Sequence, residues 1–249
     1  MRIARFAGPD GVVGFGLVEG VGPDGNPGPQ TTVTRIDGHP FGTVTTLGDP
    51  LAFADVRLLA PVLPSKIIAV GKNYAAHAAE MGGDVPAEPM IFLKPSTAVV
   101  GPGDRIDIPP QSEQVEHEAE LAVVIGRLCS EVPAARVKDV VLGYTCANDV
   151  TARDLQRTDG QWGRAKGFDT FCPLGPWIVT DVDPADLSVR CTVNGRVRQD
   201  GRTGDLVRSV TELVTWISNV MTLLPGDVIL TGTPAGVGPI VEGDAVTVE

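Results

Sequence analysis

The sequence predicts an α+β fold that is mostly β, and three observations carry that expectation. The chain of 249 residues holds 30 glycines and 21 prolines but few aromatics, a composition suited to turns and strands rather than to a helical bundle. Its apolar residues fall in short runs bounded by glycine or proline, as strands do. Helical patterning is confined to three segments.

Residues 1–60 read as a small β-rich unit, with short strands at Ile3 to Phe6 and Val12 to Val18. The stretch from Gly22 to Pro29 is dense in Gly, Pro, Asp and Asn and reads as a loop. Pro61 to Pro64 reads as a linker to a second unit, 66–249, because two prolines interrupt helix and strand alike. Lys66 to Gly71 is then a buried strand. Asn73 is placed to cap a helix from Tyr74 to Met81, and Gly82-Gly83 ends it. Strands follow at Met90 to Lys94, Glu118 to Gly126 and Val140 to Asp149. Thr151 to about Arg157 turns helical, and Asp159 to Asp169 reads as a polar loop. Ser209 to Met221 has helical spacing, with Leu213, Trp216, Ile217 and Val220 on one stripe. Pro225-Gly226-Asp227 turns into a last clear strand, Val228 to Thr231.

A formal charge of −11 repels phosphate backbones and argues against nucleic acid as a partner. The four cysteines form no CxxC pair and no zinc spacing, so they read as reduced thiols. No apolar run reaches membrane-spanning length, and the N-terminus lacks the apolar core of a signal peptide. The expected location is the cytoplasm.

The richest segment is His117-Glu118-Ala119-Glu120-Leu121-Ala122-Val123-Val124-Ile125-Gly126. Side chains alternate along a strand, so Glu118 and Glu120 share a face, with Cα atoms roughly 7 Å apart. Two carboxylates entering an apolar core repel each other and lose hydration. A divalent cation offsets both costs, and an all-oxygen donor set favours Mg²⁺ or Mn²⁺ over zinc. A solvated strand end fits the same pattern. Glu116 shares the parity, and His117 points to the other face. Asp149, ending one strand before a helix, is a third candidate ligand. Asp154 reads as a helix-surface residue or a partner of Arg153.

His77 and Glu80 lie three apart on the short helix, neighbours on its surface. A carboxylate beside an imidazole raises its basicity and sets its tautomer, as a general base requires; a solvated helix face also accounts for the pair. Lys166 sits in the polar loop. The glycine-rich run Thr231 to Pro239 follows a strand and can offer N–H groups to an anion. It lacks the Gly-Lys-Ser/Thr ending of a nucleotide-binding loop.

Taken in order, Val70 to Met81, Phe92 to Pro95, His117 to Gly126, Asn148 to Asp154, Lys166 to Asp169 and Pro225 to Pro234 resemble the fumarylacetoacetate hydrolase family. The resemblance implies a mixed β-roll with short flanking helices, usually in a homodimer. It implies Mg²⁺ held by Glu118, Glu120 and Asp149, a His77–Glu80 dyad on a lid-forming segment, an active-site Lys166, and substrate contacts from Gln156 and the backbone around Thr233. The implied substrate is a small 2-oxo acid, chelated through its carboxylate and 2-oxo oxygens so that an enolate at C3 is stabilised. The leading expectation is C–C bond cleavage, by acylpyruvate-type hydrolysis or oxaloacetate-type decarboxylation. Isomerisation of 2-hydroxyhepta-2,4-diene-1,7-dioate shares the intermediate and stands second. A non-catalytic module binding metal and 2-oxo acid is the reading from another class; retention of both His77 and Glu80 argues against it.

Overall fold

The computed structural model describes residues 1–249. Its centre is a twelve-stranded, largely antiparallel sheet. From one edge the strands run Thr46–Ala52, Thr32–Ile36, Val13–Glu19, Arg2–Ala7, Cys172–Val179, Val141–Asn148, Ala119–Ile125, Val228–Leu230, Ile67–Gly71 and Met90–Lys94. Arg57–Leu59 and Val99–Val100 pair off this path. Two three-stranded sheets complete the β structure. One joins Thr151–Ala152, Val115–His117 and Gly238–Pro239; the other joins Arg196–Arg202, Ser188–Val193 and Val246–Val248. The helices are few and short, and none is long and apolar enough to cross a membrane. The mostly β architecture agrees with the composition.

Ala119–Ile125 is buried at every position because it is central and covered on both faces. Alternation sorts its side chains. Ala122 and Val124 enter a core with Ile67, Ala69, Val228 and Leu230. Leu121, Val123 and Ile125 enter a second core with the helix Val210–Val220. Ser209 and Glu212 form a reciprocal capping box that starts this helix. Its buried stripe is Val210, Leu213, Val214 and Ile217. Val220, expected on the stripe, is 54% exposed, because a stripe centred on Val210 and Ile217 leaves it on the flank.

Several local expectations shift. Thr32–Ile36 and Thr46–Ala52 extend the sheet, although Thr46–Ala52 carries Gly48, Asp49 and Pro50. It is an exposed edge, where polar residues and proline are tolerated and no alternation is imposed. Pro61 to Pro64 is irregular, as its prolines require, but Val62 is buried in the core. Asn73 does not cap the helix Ala75–Glu80. Its amide instead bonds the Thr231 carbonyl and the backbone of Arg208, tying the helix entrance to the glycine-rich loop. The loop expected at 159–169 contains a short helix, Gly163–Gly167.

Candidate active site

The strand expected over 118–126 forms as Ala119–Ile125, and a break at Glu118 separates it from the strand before it. Val115–His117 belongs to one sheet and Ala119–Ile125 to another. At the break Glu118 N–H donates to the Asn148 side chain (2.9 Å), and Asp149 N–H donates to the Glu118 carbonyl (2.8 Å). Ala119 pairs with Asn148, so the next residues, Glu118 and Asp149, lie opposite each other where the two strands end. Glu120 follows two positions on, on the same face. One carboxylate oxygen from each of Glu118, Glu120 and Asp149 lies within 4.8 Å of the others, and all three residues are buried.

Buried cations surround this triad. Lys166 Nζ donates to Glu118 Oε2 and Asp149 Oδ2, both at 2.7 Å. Lys94 Nζ donates to Asp149 Oδ1 at 2.6 Å. Arg153 bridges Glu118 (2.5 Å) and Glu116 (2.7 Å). Burial pushes the Glu118 carboxyl up, but Lys166 and Arg153 outweigh it and hold it far below the ordinary carboxylate range. Lys166 is pushed down by burial and, more strongly, up by Asp149 and Glu118, so it stays charged.

Glu120 is different. It accepts the Gly232 N–H at 2.6 Å and touches no cation. Burial, then the charges of Asp149 and Glu118, push its carboxyl well above the usual range. Four carboxylates (Glu116, Glu118, Glu120, Asp149) thus face three cations (Lys94, Arg153, Lys166), and the unmatched charge belongs to Glu120. This all-oxygen, charge-deficient cluster fits a hard divalent cation.

A carboxyl raised in the folded state binds a proton that the unfolded chain has released. Without metal, Glu120 therefore subtracts stability as pH climbs above about 4.5, its unfolded value. Buried His117, pushed down by desolvation, acts oppositely and only below about 6.5. The Tm difference between Glu120→Gln and wild type in chelator should widen in favour of the variant from pH 5 to 8. Saturating Mg²⁺ should close the gap. A difference independent of pH would contradict this account of Glu120.

His77 and Glu80 also meet. His77 Nδ1 lies 3.2 Å from Glu80 Oε2, so an Nδ1–H donated to the carboxylate leaves Nε2 as the free base. Glu80 is held by the Gly236 N–H at 3.0 Å. Two amides of the glycine-rich loop, those of Gly232 and Gly236, thus go to protein carboxylates, Glu120 and Glu80. The Thr233 hydroxyl is similarly committed. It donates to the Ala119 carbonyl and accepts from Gln199 Nε2. Gln156 accepts from Arg153 at 2.6 Å, leaving its amide donors for a ligand. One cavity is lined by His77, Glu118, Glu120, Asp149, Gln156, Lys166 and Thr233; Glu80 reaches it through His77.

Residues that sequence reasoning passed over complete the site. Lys94 is fully buried against Asp149; a lysine closing an apolar strand, in Phe92-Leu-Lys-Pro95, was its only local signal. Arg153 pairs with Glu116 and Glu118 rather than with Asp154, which anchors Ser112 and the Glu113 N–H. Gln199 uses its whole amide, accepting from Ala119 N–H, contacting His117 and donating to Thr233 and Pro234. It clamps the peptide between Glu118 and Glu120 to the glycine-rich loop.

Residues 66–249 match the family described as fumarylacetoacetate (FAA) hydrolase C-terminal, and residues 1–61 match one described as Rv2993c-like, N-terminal. This chain belongs to the fumarylacetoacetate hydrolase family. It is 57% identical to Protein Rv2993c of Mycobacterium tuberculosis over 251 residues, covering 100% of this chain and 93% of that protein. Over 191 residues it is 50% identical to a Bos taurus protein named oxaloacetate tautomerase FAHD2A, mitochondrial, covering 74% of this chain and 61% of the relative. A solved structure called 2-hydroxyhepta-2,4-diene-1,7-dioate isomerase, from Mycobacterium marinum, superimposes with a TM-score of 0.91. It is 56% identical, with coverage of 100% of this chain and 94% of the other. The fumarylacetoacetate hydrolase family comprises enzymes, among them hydrolases, isomerases and tautomerases, and this member is one of them.

Proposed function

We propose that the enzyme moves a proton at C3 of a small 2-oxo acid, interconverting enol and keto forms, with Mg²⁺ at Glu118, Glu120 and Asp149. The carrying observation is the buried triad with its one unmatched carboxylate, in the same cavity as the His77 base. When bound, Mg²⁺ supplies a Lewis acid that anchors the acid and polarises its 2-oxo group. His77, oriented by Glu80, takes the proton from C3 of the keto form and delivers it to the 2-oxo oxygen, and moves it the opposite way from the enol. The Gly236 N–H fixes the Glu80 carboxylate beside the imidazole. Lys166 Nζ, already shared between Glu118 and Asp149, offers positive charge where the substrate oxygen becomes negative. Phe92 and Trp162 wall the site around Lys166, with ring centroids 5.3 Å apart, and limit water.

This reading puts proton transfer ahead of C–C cleavage, because relatives at about half identity carry the names tautomerase and isomerase. Cleavage is the second reading, favoured by the intact dyad, since a base oriented by a carboxylate also suits water. Chelator-stripped protein incubated with oxaloacetate and acetylpyruvate, with and without Mg²⁺, separates them. Expected is Mg²⁺-dependent decay of the enol absorbance without pyruvate release. Stoichiometric pyruvate would establish cleavage instead. No effect on either acid would remove both readings.

A further inference from the structure

We propose that Lys72 and Arg157 form a second anion subsite at the mouth of the cavity, which receives the far carboxylate of a dicarboxylic 2-oxo acid. The proposal rests on the 2-oxo-acid reading and names the substrate class within it. Four cationic side chains other than histidine line the cavity: Lys72, Arg153, Arg157 and Lys166. Arg153 and Lys166 are spent on Glu116, Glu118 and Asp149 at 2.5–2.7 Å. Lys72 and Arg157 form no ion pair. Arg157 donates only to the neutral Gln114 side chain, at 2.8 Å. In a chain of net charge −11, two uncommitted cations on one cavity call for an anion.

Lys72 is also held in place. Its φ of 55° lies in the left-handed region, a conformation that costs a residue with a side chain and persists where the surroundings impose it. The surroundings are the strand Ile67–Gly71 on one side and Asn73 on the other, its amide bonded to Arg208 and Thr231. After the helix Ala75–Glu80 the chain folds back over the ammonium. A Cβ added at Gly83 would lie 2.6 Å from Lys72 Nζ, so glycine there leaves the room the lysine uses. Arg157 is set by the helix Arg153–Asp159, one turn beyond Arg153 and next to Gln156. That helix face therefore runs from the buried carboxylates outward to the mouth.

The test compares 2-oxoglutarate with 2-oxopentanoate, which share the 2-oxo acid head and a five-carbon chain and differ in the far carboxylate. Each is titrated calorimetrically into the full chain in saturating Mg²⁺. Wild type should bind 2-oxoglutarate about tenfold tighter, the value of one charge-assisted contact. Lys72→Met should remove most of that preference, with 2-oxopentanoate affinity moving less than about twofold. Arg157→Gln should reduce the preference less, because Arg157 is more exposed. Gly83→Ala should weaken 2-oxoglutarate selectively by displacing the ammonium. Equal affinities in wild type, or equal losses for both acids in Lys72→Met, would overturn the subsite and leave the 2-oxo-acid reading standing. If neither acid binds and oxaloacetate is also untouched, the reading itself falls and the subsite with it.

Discussion

Asp149→Ala is expected to abolish Mg²⁺ binding, to cut turnover roughly hundredfold or more, and to destabilise the fold. The residue is 1% exposed, and its carboxylate accepts from Lys94 at 2.6 Å and Lys166 at 2.7 Å. Alanine leaves Lys94 with one long contact to the Val150 carbonyl, at 3.4 Å. Uncovering a buried charge in this way costs about 3 kcal/mol, which should appear as a lower Tm even in chelator. Asp149→Asn keeps the shape and one oxygen and should recover part of the stability, but little of the metal affinity. Calorimetric Mg²⁺ titration, thermal melts and initial rates measure the three effects separately. Turnover within about tenfold of wild type would rule out Asp149 as a ligand.

Lys166→Met should split binding from catalysis. The ammonium lies between Glu118 and Asp149 and partly neutralises them. Removing it leaves Glu118 with Arg153 and Asp149 with Lys94. The cluster becomes more negative by one charge, so Mg²⁺ should bind as tightly as before or tighter. Turnover should nevertheless fall by roughly a hundredfold or more, because Lys94 and Arg153 stay committed to Asp149, Glu116 and Glu118, and Lys166 is the cation shared between two members of the triad where charge develops on the substrate. A residue that merely supports the fold would lower affinity and rate together. Parallel losses in the two measurements would therefore assign Lys166 to structure.

Period-two alternation put Glu118 and Glu120 on one face, and the structure places them there despite the break at Glu118. Spacing of three on a helix brought His77 to Glu80. Asp149 could be suspected at a strand end, but only the register Ala119 to Asn148 sets it opposite Glu118. Lys166, whose neighbours read as a polar loop, is 2% exposed on a short helix. The edge strand Thr46–Ala52 showed no strand pattern because an edge outside the core imposes none.

By itself the sequence determined the mostly β character, the central apolar strand, the pairing of the two glutamates and the histidine–carboxylate pair. Each depends on the geometry of one short segment, so each leaves a local pattern. The tertiary structure alone decided which cations neutralise which carboxylates. Lys94 meets Asp149 from 55 positions away, Lys166 meets Glu118 from 48, and Gln199 reaches Ala119 from 80. It also decided that the glycine-rich loop holds Glu120 and Glu80, and that Lys72 and Arg157 remain unpaired. Electrostatic balance in a buried site is the sum over every chain segment that reaches it, and no single segment carries that sum.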